Sequence, residues 1–206
     1  MANIRFSDDF EIFEINNPEE VSCLYFPLAS EAGLKSSIPP DLGGDCKLDQ
    51  EGFLLEPVSA EDLRTSRSTR NFWCVTEKGC WSATGVSAEQ EAARFTPEQD
   101  ESRLTAGFMW QSVRRETKRY ALCAEITSFV PCRENVEIMY IRVTNTGAAP
   151  QRLTGIAAVP VYGRSADNLR DHRNVTSMLH RIRTTDHGVL VKPTMSFDEK
   201  GHRENR

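Results

Sequence analysis

The sequence predicts an all-β fold of two packed antiparallel sheets, and three observations carry that prediction. Runs of alternating apolar and polar side chains recur along the chain, and a period of two sends one face of a strand to a core and the other to water. Short segments rich in Gly, Asn and Pro separate the runs, which is the chemistry of tight turns. Helical periodicity is confined to one short stretch, so nothing supports the strand-helix-strand alternation of a parallel sheet.

Taken in order, residues 28–56 hold Gly33, Pro39, Pro40, Gly43 and Gly44 with few periodic apolar positions. They read as a long ordered loop, anchored in the core by Phe53, Leu54 and Leu55. Residues 71–83 contain two aromatic-rich strands joined by Glu77-Lys78-Gly79, a hairpin signature. Ser87 is placed to cap a surface helix over residues 88–94, since its hydroxyl can accept from a free amide of the first turn. Residues 98–103 are acidic and unpatterned and read as a solvated turn. Residues 105–117, carrying Phe108, Trp110 and Val113, read as one strand, which turns at 118–120 into a second over 121–131. Residues 136–144 alternate cleanly, with Val136, Ile138, Tyr140 and Arg142 opposite Glu137, Met139, Ile141 and Val143. Turn chemistry over 145–151 then predicts a third hairpin, closed by a strand over 152–162. Residues 188–197 read as a last strand, which Pro193 places at an edge or a bulge.

A chain of 206 residues can bury one sizeable core, and large β-sandwiches use this much sequence as a single unit, so residues 1–206 are expected to form one domain. The formal net charge of -5 gives no general attraction for nucleic acid or an anionic membrane. No apolar leader and no run of eighteen apolar residues is present, and the expected location is the cytoplasm. The six cysteines lack a C-x-x-C pair or a histidine at zinc-ligand spacing, so reduced thiols without a metal are expected. Cys74, Cys80 and Cys123 fall in strand-like runs, where a thiol behaves as a small buried hydrophobe. No cofactor-binding glycine motif occurs.

Charge gathers in residues 163–183. This segment follows an apolar strand and holds Arg164, Arg170, Arg173, Arg181 and Arg183, His172 and His180, and Asp167 and Asp171. Guanidinium forks and imidazoles donate several hydrogen bonds in fixed geometry, which suits sugar hydroxyls or phosphate. The two aspartates can neutralise two of the arginines, leaving others for a ligand or a neighbouring chain, against the simpler alternative of exposed ion pairs. A glycosidase needs two carboxyl groups facing across a cleft. Asp41, Asp45, Asp49, Glu56, Asp167 and Asp171 are available, but their spacing selects no pair, and no catalytic residue is assigned. Trp73, Trp81 and Trp110 lie in mid-strand and read as core before they read as a sugar-stacking platform.

Several runs together resemble the N-terminal region of inverting β-glucoside phosphorylases, the cellobiose and β-oligoglucan phosphorylases of glycoside hydrolase family 94. They are Tyr25-Phe26-Pro27-Leu28 with Glu31-Ala32-Gly33, residues 53–59 through Arg70-Asn71-Phe72-Trp73, Trp81-Ser82-Ala83-Thr84-Gly85, and residues 163–173. The resemblance spans nearly the whole chain. It implies a large super-sandwich of the galactose-mutarotase-like kind, the N-terminal portion of a longer enzyme whose (α/α) barrel holds the general acid and the phosphate site. It also implies β-glucan and phosphate as substrates of that parent, a homodimer, and an acceptor-side surface to which Arg164, Asp167, Arg170, His172 and Arg173 contribute. His172-Arg173 stands where cellobiose-cleaving members carry Gln-Arg, a departure at the sugar contact. Two other readings are a free-standing carbohydrate-binding module, which requires an exposed row of tryptophans, and a mutarotase-like enzyme, which requires a converging acid-base set.

Overall fold

Alternating side chains do become strands. A computed structural model describes residues 4–21, 24–49, 51–58, 69–165 and 179–193. Its strands are β1 (Ile4–Phe6), β2 (Phe13–Asn16), β3 (Phe26–Ala29), β4 (Lys35–Ile38), β5 (Cys46–Lys47), β6 (Phe53–Leu55), β7 (Asn71–Thr76) and β8 (Gly79–Ser82). After helix α1 (Ala88–Ala93) come β9 (Glu101–Gly107), β10 (Trp110–Thr117), β11 (Leu122–Phe129), β12 (Ile138–Asn145), β13 (Leu153–Ala158), β14 (Val161–Arg164), β15 (His180–Thr185) and β16 (Gly188–Pro193). The largest sheet runs β1-β2-β9-β10-β11-β12. A second runs β14-β6-β5-β4-β3, a third β13-β7-β8, and β15 pairs with β16 in a ribbon. Every pairing is antiparallel.

Register explains the core. Ile15 faces Leu104, Leu104 faces Val113, Val113 faces Ile126 and Ile126 faces Ile141 across successive strands, so one apolar row crosses the inner face of the large sheet. Leu122, Ala124 and Ile126 of that face pack with Leu28, Ile38 and Leu55 from the second sheet, with Leu34 from the turn between β3 and β4, and with Cys74 and Trp81 from the third. Two layers of strands therefore share one dry interior, as a β-sandwich requires. A smaller cluster of Ile15, Leu104, Ala106 and Val113 extends it toward β2.

The 71–83 hairpin forms as β7 and β8. Ser87 caps α1, its hydroxyl accepting from the Gln90 amide at 3.1 Å. The structure replaces the long loop predicted over residues 28–56 by β3 to β6. These strands are two to four residues long, too short for a period to show. Gly44 lets the chain turn between β4 and β5: its φ is +82°, and a Cβ there would lie 1.8 Å from the Ser37 carbonyl oxygen, so only glycine fits.

Three further expectations are corrected. Residues 105–117 are two strands, because Phe108 and Met109 make a tight turn and Trp110 faces back to Gly107. Met109 takes φ 60° without being Gly or Asn, so the turn gave no compositional signal. Glu101–Arg103, expected as a solvated turn, starts β9. The third hairpin does not form: β12 ends the large sheet, whereas β13 pairs with β7. Between them the Thr146 amide donates to the Ala121 carbonyl and Gln151 Nε2 to the Tyr120 carbonyl, pinning the connection to the β10-β11 turn and redirecting the chain. β13 is exposed along its whole length.

All five described cysteines are free thiols. Cys74 and Cys46 are buried, and burial pushes their thiols up to about 11 and about 12. Cys80, expected inside, is exposed, because Trp81 takes the inward position of β8 opposite Cys74.

Candidate functional site

Of the residues singled out in the arginine-rich segment, Asp167, Arg170, Asp171, His172 and Arg173 lie outside the described residues. Arg164 closes β14 and is 1% exposed. It belongs to the interior at the base of the segment, next to the strand carrying Phe53. The far end of the segment re-enters the fold as β15, so His180, Arg181 and Arg183 sit on a strand rather than in a turn. Arg181 and Arg183 are exposed on that ribbon.

His180 ties the two flanks together. Its Nε2 lies 3.0 Å from the Tyr162 carbonyl oxygen, and the Tyr162 hydroxyl donates to the Ser165 carbonyl at 3.0 Å. Burial holds the imidazole below the ordinary histidine value, the Tyr162 carbonyl opposes this, and the nearby Arg164 charge adds to it. The unfolded chain therefore takes up this proton first as pH falls. Stability is expected to decline as pH drops below about 6.5 toward the lower folded value. A His180→Gln variant should flatten that part of the melting temperature profile; an unchanged slope would show that His180 is not its source.

Two arginines outside this segment, to which the sequence assigns no role, are more deeply engaged. Arg70 is 3% exposed and makes a two-pronged ion pair with Glu137, Nε to Oε1 and Nη2 to Oε2, the latter at 2.8 Å. Its Nη1 donates to the Gly43 carbonyl at 2.7 Å and its Nη2 to Ser36 Oγ at 2.9 Å. Arg115 is 6% exposed and reaches Glu19 Oε1 from Nη1 at 3.5 Å. Glu19 is held in turn by Ser102 Oγ at 2.8 Å and Gln99 Nε2 at 3.0 Å. A signal for Arg115 existed. Gln111, Val113, Arg115 and Thr117 are the inward positions of β10, and polar side chains on an inward stripe must find buried partners.

The tryptophans do not share a face. Trp81 is 2% exposed in the core, with Nε1 donating to Asp100 Oδ2 at 2.8 Å. Trp73 lies opposite Ser82 on the other face of the hairpin, and Trp110 lies on the outer face of the large sheet, opposite Phe129. The loop carboxylates serve local structure. Asp41 and Asp49 accept from the amides of Gly43 and Glu51 at 3.0 and 2.9 Å, and Asp45 lies 3.6 Å from Lys47 Nζ. Among the described residues, no three or more His, Cys, Asp or Glu side chains gather as a metal site. No helix of the described residues is long and apolar enough to cross a membrane.

No curated protein matches the chain. A protein-family model does match, over residues 73–203, and it describes the glycosyl hydrolase 94 supersandwich domain. The matched stretch begins within the aromatic hairpin, takes in the large sheet from β9 to β12 and includes the whole arginine-rich segment. With more than half of its length matched by that domain, and with the antiparallel layers it requires, the chain belongs to the glycosyl hydrolase 94 family.

Proposed function

We propose that this chain is the non-catalytic sandwich module of a glycoside phosphorylase that cleaves β-glucans with phosphate. The observation that carries the reading is the supersandwich match over residues 73–203. In this reading residues 1–206 are the N-terminal domain of a longer, cytoplasmic enzyme, and a separate (α/α) barrel supplies the general acid and binds phosphate. The module docks on that barrel and takes part in a homodimer. Arg164, Asp167, Arg170, His172 and Arg173 contribute to the acceptor-side surface of the active site. Arg164 suits an anchoring part, because it is buried at the foot of the segment. The reading as a free carbohydrate-binding module is less well supported, since Trp81 is inside and Trp73 and Trp110 lie on different sheets.

Two measurements test the proposal. Incubated with phosphate and β-glucan oligosaccharides, this chain is expected to release no glucose 1-phosphate; release above background overturns the division of labour. In the full-length phosphorylase, Arg173→Ala is expected to raise KM for the acceptor sugar about tenfold, as loss of a charged hydrogen-bond donor does. Unchanged acceptor kinetics would remove Arg173 from that surface.

A further inference from the structure

Beside α1 the chain forms a partly open pocket of about 100 Å³. Its walls include the turn after β4, with Pro39, Pro40 and Asp41; the turn after β8, with Thr84 and Gly85; Arg115 on the inner face of the large sheet; and residues of the 18–24 segment and of α1. Gly85 makes the Arg115 position possible. Its φ is +83°, and a Cβ there would lie 2.6 Å from Arg115 Cζ, so the guanidinium rests directly on glycine backbone.

Most polar groups around the cavity are already satisfied. Asp100 Oδ2 accepts from Trp81 Nε1 and from Gln90 Nε2 at 2.7 Å. Glu19 is held by Ser102, Gln99 and Arg115, and its backbone carbonyl accepts from Arg94 Nη2 at 2.9 Å. Thr84 Oγ1 lies 3.1 Å from Ser82 Oγ. Two donors stand out against this background. The Nε atoms of Arg115 and Arg94 are buried and have no protein acceptor, and Arg115 itself is 6% exposed. A buried charged donor left without a partner is costly, and both of these donors belong to side chains that line the cavity, which favours an incoming acceptor there. Across that space, the carboxylate of Asp41 has one bond to the Gly43 amide and further capacity to accept. Burial raises its pKa against the pull of Arg94 and Arg115.

The wall chemistry selects the ligand class. An anion would meet Glu19, Asp41, Glu91 and Asp100 against only two arginines, and a cation would meet the two guanidinium groups. A neutral molecule that both accepts and donates hydrogen bonds satisfies the arginine N–H groups and the aspartate together. Leu24, Pro39, Pro40 and Val86 add apolar surface for C–H groups. A cavity of about 150 Å³ holds the six heavy atoms of benzene, so the present space of about 100 Å³ takes about four heavy atoms, one diol unit rather than an oligosaccharide. We propose that this cavity binds a neutral vicinal diol, either a glycerol-sized polyol or one edge of a sugar ring, with hydroxyl oxygens accepting from Arg115 and Arg94 Nε–H and a hydroxyl donating to Asp41. The proposal is independent of the phosphorylase reading and survives its failure.

The test is nuclear magnetic resonance on the chain, following the Gly85 amide and the arginine Nε–H signals during titration with glycerol, with methyl β-D-glucoside and with sodium phosphate. Saturable shifts at Gly85 and Arg115 with one or both diols, and none with phosphate, are expected; which diol saturates distinguishes the free polyol from the sugar edge. Asp41→Asn and Arg94→Gln, both at partly exposed positions, should keep the dispersed spectrum and weaken the diol about tenfold. Shifts that stay linear in concentration, saturation by phosphate instead, or undiminished affinity in both variants would each overturn the site.

Discussion

Arg70→Ala is expected to cost about 3–5 kcal/mol of stability, the loss typical of removing one partner from a buried ion pair. The substitution leaves Glu137, which is 14% exposed, without the guanidinium that holds both of its oxygens. It also removes the donor to the Gly43 carbonyl and to Ser36 Oγ, and these groups stitch the β4-β5 turn to the strand that starts at Asn71. For a domain of this size the melting temperature should fall by roughly 10 °C. Urea unfolding of Arg70→Ala beside an Arg70→Met, Glu137→Met double variant separates the causes. The double variant should regain much of the loss, since two apolar chains replace a charge pair that was costly to desolvate. An Arg70→Ala protein within about 1 kcal/mol of the parent would show the network to be incidental.

Trp81→Ala should be as damaging, about 3–5 kcal/mol, because it opens a cavity where the two layers meet. The indole packs in the same cluster as Leu122, Ile126 and Cys74, and its N–H is one of two donors on Asp100 Oδ2. Trp81→Phe separates packing from hydrogen bonding. It keeps most of the ring and leaves Gln90 on the carboxylate, so it should lose only about 1 kcal/mol. Denaturant midpoints of both variants measure the difference. If phenylalanine proves as destabilising as alanine, the bond to Asp100 rather than the buried ring dominates.

The sequence made the long strands legible and the short ones invisible. β11 and β12 show their alternation because each runs for eight residues, β11 with one face buried in the core and β12 with Met139, Ile141 and Val143 half-buried against it. β5 has two residues, and no pattern of period two can be read from two positions. The hidden turn at Phe108-Met109 failed for the complementary reason: it carries none of the usual turn residues and interrupts a run that otherwise reads as continuous. The misassigned partner of β12 shows a further limit. Local chemistry at 145–151 correctly announces a change of direction, but the sheet that receives β13 is decided by contacts to Tyr120 and Ala121, far away in sequence.

The candidate surface was legible as composition more than as geometry. Clustered arginines mark residues 163–183 without saying which are interior, and Arg164 turns out to be among the most deeply buried large side chains of the molecule. The sequence assigns Arg70 no role, because it stands alone before an apolar strand and its partner Glu137 is distant in the chain. Only the fold brings them together.

The edge made by β13 has a consequence for how this protein behaves in company. Leu153-Thr154-Gly155-Ile156-Ala157-Ala158 carries no charge and is exposed, and among the described residues no strand pairs with the side of β13 opposite β7. Lysines, prolines and bulges are the usual guards against sticky sheet margins, and this stretch has none between Arg152 and Pro160. Left uncovered at high concentration, that margin is the place where misassociation between molecules starts.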